Sequence, residues 1–499
     1  MNVFRKKSVE QTLAETGESG HALKRDLTWW DLAIMGVAVA VGAGIFSIGA
    51  QAAAFHAGPA VVLSFLIAGV VCGAAVMCYA EFASMIPVAG SAYTFTYTTV
   101  GEIVAWVIGW DLILEMLMAG SVVSKYWGVY LNQFFELIGW NINTNIAIGS
   151  FNFDLAPVII VAFFTALLVM GTKIGARVDG ALTILKIAIV VFIVVVGFFY
   201  IKAENFTPFI PPSEPAASTD GSGVSAVRDQ PLWQWATGMA PSIYGVTGII
   251  SGAALVFFAF LGFDVVATAS EETINPKKNV PLGIGVGLGL IIVLYTLVAI
   301  VTTGMVSYKD LAKQSDPSLA VAFKMVGADW AAKIISLGIV IGMATVVMVL
   351  LLGLTRVVFA MSRDGLLPRG LSHTGKHGTP VRLQIIVGVV MALIAACCNV
   401  GILSDMVNIG TLSAFTLVAI SIPIMRKKRP DLERSFKIPG NPWVPILIAI
   451  ANLWLMVNLS VLTWIRFVVW LIVGFAIYFG YGYRHARLGA GELEVAAQE

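Results

Sequence analysis

Charge is scarce in this 499-residue chain: 12% of its residues are Asp, Glu, Lys or Arg, where soluble domains carry about 25%. With 58% of residues hydrophobic, that scarcity excludes an ordinary soluble domain and predicts a polytopic membrane protein. Cysteine is scarcer still. The four are Cys72, Cys78, Cys397 and Cys398, all inside apolar runs, so neither a disulfide framework nor a metal-ligand spacing is present. Histidines, five in all, lie outside the interior of those runs. No G-x-x-x-x-G-K-[ST] loop occurs, which argues against an ATP-driven machine. Residues 1–28 are polar and basic with no apolar core, so no cleavable signal peptide is expected. The net charge of +2 identifies no partner, and no nucleic-acid partner is expected.

What the chain does have is long apolar runs. A helix needs about 20 such residues to cross the hydrocarbon core. Twelve segments qualify, at 30–54, 60–85, 101–131, 155–172, 178–201, 249–270, 281–305, 330–361, 382–401, 404–425, 443–462 and 464–483. The third and eighth exceed what a span needs, so tilt is expected there. Lys and Arg concentrate in the segments that share a side with the N-terminus, most clearly RKKRP at 426–430. By the positive-inside rule both termini face the cytoplasm. The segments are then an N-terminal stretch (1–28), five helices over 29–201, an external Pro/Ser/Gly-rich loop (202–248), five helices over 249–425, two more over 443–483, and a cytoplasmic tail (484–499).

Two spans interrupt themselves. The first contains Gly42-Ala43-Gly44 and the sixth contains Gly262 followed by Asp264. Glycine costs about 1 kcal/mol relative to alanine inside a helix, and unwound backbone in lipid has nothing to pair with. At 1.5 Å per residue, Gly42 and Ala259 each lie roughly 15–17 Å from one end of their spans, near the bilayer midplane. Spans one and six are five apart, as are the long spans three and eight. Glycine-broken segments at matching places in two halves point to a transporter site between inverted repeats. A half-helix N-terminus there suits a carboxylate, and unwound carbonyls suit an ammonium. One site with both suits a zwitterion, hence an α-amino acid. A lone glycine of this kind would more simply serve close helix packing; two, paired by repeat symmetry, favour a site.

Intramembrane charges are few. Lys186, in LTILKIAIVV, sits roughly 12 Å into span five, where an ionised lysine costs about 2.5–3.5 kcal/mol on insertion scales. It should face the bundle interior, either as a switch that loads and releases a proton or as a fixed brace on span one. Asp111 and Glu115 in GWDLILEM share a helix face; Asp111 reads as structural, Glu115 as a residue near the cavity. Lys125 most simply snorkels.

Beyond these local readings, the chain resembles the amino acid permeases of the amino acid–polyamine–organocation superfamily, in their cationic amino acid transporter branch. The matching stretches are VGAGIF (41–46), YAEFASMIPVAGSAYTFTY (79–97), GWDLILE (109–115), FFAFLGFD (257–264) with EETINP (271–276), and MSRDGLLP (361–368). The resemblance implies an all-α membrane fold of 12 transmembrane helices, a 5+5 inverted repeat with discontinuous helices one and six, plus two C-terminal helices. It places the substrate carboxylate at Val41, Gly42, Ala43, Gly44 and Ile45, the amino group at Phe258, Ala259 and Leu261, and an aromatic gate at Phe263. It puts Lys186 where sodium-coupled relatives hold the ion, with first-helix carbonyls and Thr345 as partners. Some relatives carry a hydroxyl where this chain has Ala43, and many carry a small or apolar residue near Lys125.

The expectation is therefore a plasma-membrane amino acid importer that is not an enzyme. It would use no cofactor beyond a coupling proton, its partners being an amino acid and the lipid bilayer. An exchanger on the same scaffold and a membrane nutrient sensor remain the alternatives. An intramembrane enzyme would need a nucleophile–base pair or metal box, and a channel would need a continuous lined pore.

Overall fold

The computed structural model describes residues 5, 27–85, 91–140, 144–148, 151–170, 175–216, 228–240, 242–262, 266, 273–314, 316–373, 380–430, 434 and 436–487. The first helix, α1 (Trp29–Ala40), starts on a capping box: the Thr28 side chain accepts from the Asp31 amide while the Asp31 carboxylate accepts from the Thr28 amide, so two orphan donors of the helix start are satisfied reciprocally. α1 stops in mid-run, with Val41 extended at φ −72°, ψ 92°. The chain resumes in a wide π-turn, Gly44–Ile48, continues in a second one, Ala53–Ala57, and turns at Gly58 into α2 (Val61–Met85).

Next come α3 (Ser91–Thr99), α4 (Glu102–Leu137), an antiparallel hairpin of β1 (Asn145–Ile148) and β2 (Phe151–Asp154), α5 (Leu155–Met170) and α6 (Gly175–Phe198). The second half holds α7 (Gly245–Val256), α8 (Pro276–Met305), the short α9 (Leu319–Met325), α10 (Asp329–Arg363), α11 (Val381–Cys397) and α12 (Val400–Lys428). α13 (Trp443–Val457) and α14 (Val461–Ile477) close the chain.

Among the described residues six helical stretches are long and apolar enough to cross a membrane, and shorter apolar helices lie between them. Apart from the short α3 and α9, which lie between runs, the helices fall on the expected apolar runs, with α4 reaching Leu137 rather than residue 131 and α12 beginning at Val400 rather than 404. α4 is the axis of the bundle. α10 and α12 pack along it more extensively than any other pairs pack, and most of its length is buried, whereas α14 is largely exposed. Exposure of apolar side chains such as Val469 and Ile472 on α14 is what a lipid-facing helix requires.

One end of the bundle is tied by buried ion pairs. Glu81 of α2, fully buried, takes Arg426 of α12 in a bidentate pair (2.8 and 2.6 Å) and the Ile438 amide at 2.9 Å. Glu102, also fully buried, receives Arg5 at 2.8 Å, Tyr478 at 2.8 Å and Tyr97 at 3.2 Å. Lys125 does not simply reach for solvent: it donates to the Ala395 carbonyl of α11 at 3.1 Å, where a cation meets the negative end of a helix dipole.

Candidate functional site

The ends of helices create the site. A helix leaves its last four carbonyls without partners. In α1, Val37 O is met by the Val41 amide. The next, Ala38 O, is met by the Lys186 ammonium at 2.9 Å, and Ala40 O by the Tyr295 hydroxyl of α8 at 2.6 Å. Lys186 therefore caps the C-terminal, partially negative end of α1. Its stem crosses α10 at a glycine: a Cβ on Gly342 would lie 2.9 Å from Lys186 Cγ. One turn along α10, Thr345 donates to Gly342 O at 3.0 Å, so toward a neighbouring ammonium its hydroxyl offers lone pairs. A Cβ on Gly42 would lie 3.7 Å from Val346 of the same helix. The first break, Lys186 and the middle of α10 thus meet.

The sixth span breaks against the first. α7 tightens into a 3₁₀ turn, Phe257–Phe260, and Leu261 is extended at φ −65°, ψ 152°. Gly262 follows at φ +97°, a conformation that costs a residue with a Cβ. A Cβ on Gly44 would fall inside Ala259, and one on Gly262 inside Val39. Backbones approach this closely only where glycine removes the side chain. Asn408 of α12 supports the α7 end, donating to Leu255 O at 3.2 Å.

The expected residues Val41, Ala43, Ile45, Phe258 and Ala259 are buried at this junction. Leu261 is partly exposed. Phe263 and Asp264 lie outside the described residues. Glu115 is buried on α4, and its neighbour Met116 meets Gly353 of α10. Asp111 is buried against α12, where Ser413 donates to its carboxylate at 2.8 Å.

Sequence reasoning had not singled out the tyrosines that hold span one. Besides Tyr295, Tyr130 of α4 donates to Phe46 O at 2.5 Å and Tyr244 donates to Ala54 O at 2.7 Å. A signal existed: a buried tyrosine needs a partner for its hydroxyl, and Tyr130 and Tyr295 stand inside apolar runs.

Chemically, the junction sets backbone amides of the turn beginning at Gly44 beside the carbonyl end of the sixth-span break. The first group can take a carboxylate and the second an ammonium. The aromatic ring of Phe260 packs beside the break against Tyr295 and Phe65, its centroid 5.4 Å from that of Tyr295.

A mostly helical, membrane-type bundle with two facing backbone breaks defines a permease-type membrane protein. The chain belongs to the amino acid permease family, whose model matches residues 27–479. It is 41% identical over 498 residues to the branched-chain amino acid permease BcaP of Bacillus subtilis (strain 168), spanning 98% of this chain and 99% of that one. It is 40% identical over 495 residues to the methylthioribose transporter of the same organism, with 98% and 99% covered. The vacuolar cationic amino acid transporter 2 of Arabidopsis thaliana is 36% identical over 438 residues, 86% of this chain and 64% of that protein.

Proposed function

We propose that this permease imports L-amino acids across the plasma membrane by proton symport, alternating access around the junction of the two breaks. In this reading it has twelve spans in a five-plus-five inverted repeat with two added helices, and both termini are cytoplasmic, which makes the Arg5 end the inner one. The observation that carries it is the meeting of the residue 41–43 break with the 257–262 break at Gly44 and Ala259, with Lys186 bonded to Ala38 O beside it. Backbone amides of the first break lie beside backbone carbonyls of the sixth-span break there, an arrangement that suits a zwitterion. Lys186 would load a proton in one conformation and release it in the other, and by linkage substrate and proton change each other's affinity equally. The side chain set against Gly42 is the apolar Val346, and the polar ones at the break, Lys186, Tyr295 and Tyr130, are taken up by first-span carbonyls, which favours a neutral, apolar amino acid. That the two most similar of the relatives named carry a branched-chain amino acid and methylthioribose in their names makes substrate the first thing to measure.

The test is uptake by purified protein in liposomes under an imposed inward proton gradient, with labelled leucine, arginine and methylthioribose in separate arms, for wild type and Lys186→Ala. Gradient-driven leucine uptake that loses its pH dependence in the variant is expected. Uptake that ignores the gradient and requires internal amino acid would make the protein an exchanger, with Lys186 a brace.

A further inference from the structure

The face of α4 that meets the first span carries Tyr126, Tyr130 and Gln133, at the spacing that stacks side chains on one helix face. Tyr126 donates to Gln51 Oε1 at 3.0 Å. Tyr130 donates to Phe46 O at 2.5 Å and accepts from the Ser47 hydroxyl at 3.4 Å. Both acceptor and donor belong to the π-turn Gly44–Ile48, which follows the break directly. Ser318 caps α9, accepting from the Val321 amide at 3.4 Å, and receives Gln133 at 3.3 Å. Tyr130 and Ser47 are fully buried and Ser318 nearly so. Tyr130 therefore joins the turn behind the substrate-site glycines to the central helix, and Gln133, one turn along the same face, joins that helix to the cap of the connecting helix between α8 and α10.

Single π-turns in helices are rare and often fall at functional sites. Loss of the Tyr130 hydroxyl would leave the Phe46 carbonyl without its buried side-chain donor and cut the turn's link, through α4 and Gln133, to α9. We infer that Tyr130 is a positioning residue for the substrate site: it fixes the turn that aims the Gly42–Gly44 amides and makes that aim depend on where α9 sits. The inference rests on the transport reading above. It goes beyond it by assigning substrate affinity to a residue that touches no substrate.

Tyr130→Phe keeps the ring and removes only the hydroxyl. With labelled leucine in liposomes, KM should rise roughly five-fold, the loss of one hydrogen bond, while maximal rate and thermal melting of the detergent-purified protein stay near wild type. Ser318→Ala, which loosens the tie that Gln133 makes from the same face of α4, should shift KM the same way by less, and the double variant should be no worse than Tyr130→Phe alone, because residues of one network are not additive. Backbone hydrogen exchange over residues 44–57, measured without substrate, should quicken in Tyr130→Phe. A fall in maximal rate and melting temperature with KM unchanged would make Tyr130 a packing residue and overturn the inference, as would unchanged exchange. If Tyr130→Phe fails to fold, Ser318→Ala carries the same two readouts. A wild type that transports none of the three labelled compounds would sink the transport reading, and the exchange result would then decide Tyr130 by itself.

Discussion

Gly44 and Ala259 touch backbone to backbone, with no room between them for a methyl group on Gly44. They are the points where two interrupted helices from opposite halves of the chain meet, so the geometry of each break is set by the other.

Gly44→Ala should therefore impair transport severely. Overpacking of a tight core costs about 1–3 kcal/mol, and here the listening partner is backbone, which cannot rotate away as a side chain can. Uptake in liposomes should fall at least roughly five-fold, with a lowered melting temperature. Uptake within two-fold of wild type would show that the two breaks can separate without loss.

Lys186→Gln removes the ammonium that caps α1 at Ala38 O. A hydrogen bond to a charged group is worth about 1.5–3 kcal/mol, and glutamine can replace only part of it. Uptake measured as a function of external pH should flatten across the neutral range. A pH profile parallel to that of wild type would remove Lys186 from proton coupling.

Tyr295→Phe leaves the aromatic cluster of Phe65, Phe260 and Tyr295 intact and deletes the hydroxyl that meets Ala40 O. The orphaned carbonyl should cost about 1–3 kcal/mol, read as a lower melting temperature and reduced uptake. Full stability would mean that Ala40 O finds another donor.

Arg426→Met should be among the most damaging substitutions outside the site. It leaves the fully buried Glu81 without its bidentate partner, and breaking a buried pair costs about 3–5 kcal/mol. Loss of monodisperse protein on size-exclusion chromatography is expected. By contrast Lys324→Ala, which removes the exposed pair with Glu136, should change stability by less than about 1 kcal/mol. A reversal of this order would mean that the burial of Glu81 is not what makes its pair matter.

Much of the site was legible in the chain because its signals are local. Gly42, Gly44 and Gly262 stand out wherever glycine interrupts an apolar run, and Lys186 stands out because an ion at that depth needs a partner. First-helix carbonyls were expected as its partners, but which carbonyl Lys186 meets, and that Tyr295 meets another, was not legible: Ala38 lies 148 positions from Lys186, and Ala40 lies 255 from Tyr295. Glu115 shares this limit. Its spacing from Asp111 fixed a common helix face, but whether that face meets the break or the α10–α12 seam depends on how α4 is rotated.

The sequence by itself determined that this is a helical membrane protein, where its helices run, where two of them break and which charge is buried, because transfer into lipid and the conformational cost of glycine act residue by residue. Only the tertiary structure decided that Gly44 faces Ala259, that Lys186 caps α1 and crosses α10 at Gly342, and that Tyr130, Tyr244 and Tyr295 hold the carbonyls of the first span. Those contacts join distant parts of the chain, and they follow from helix rotation and close packing, which no local pattern of residues encodes.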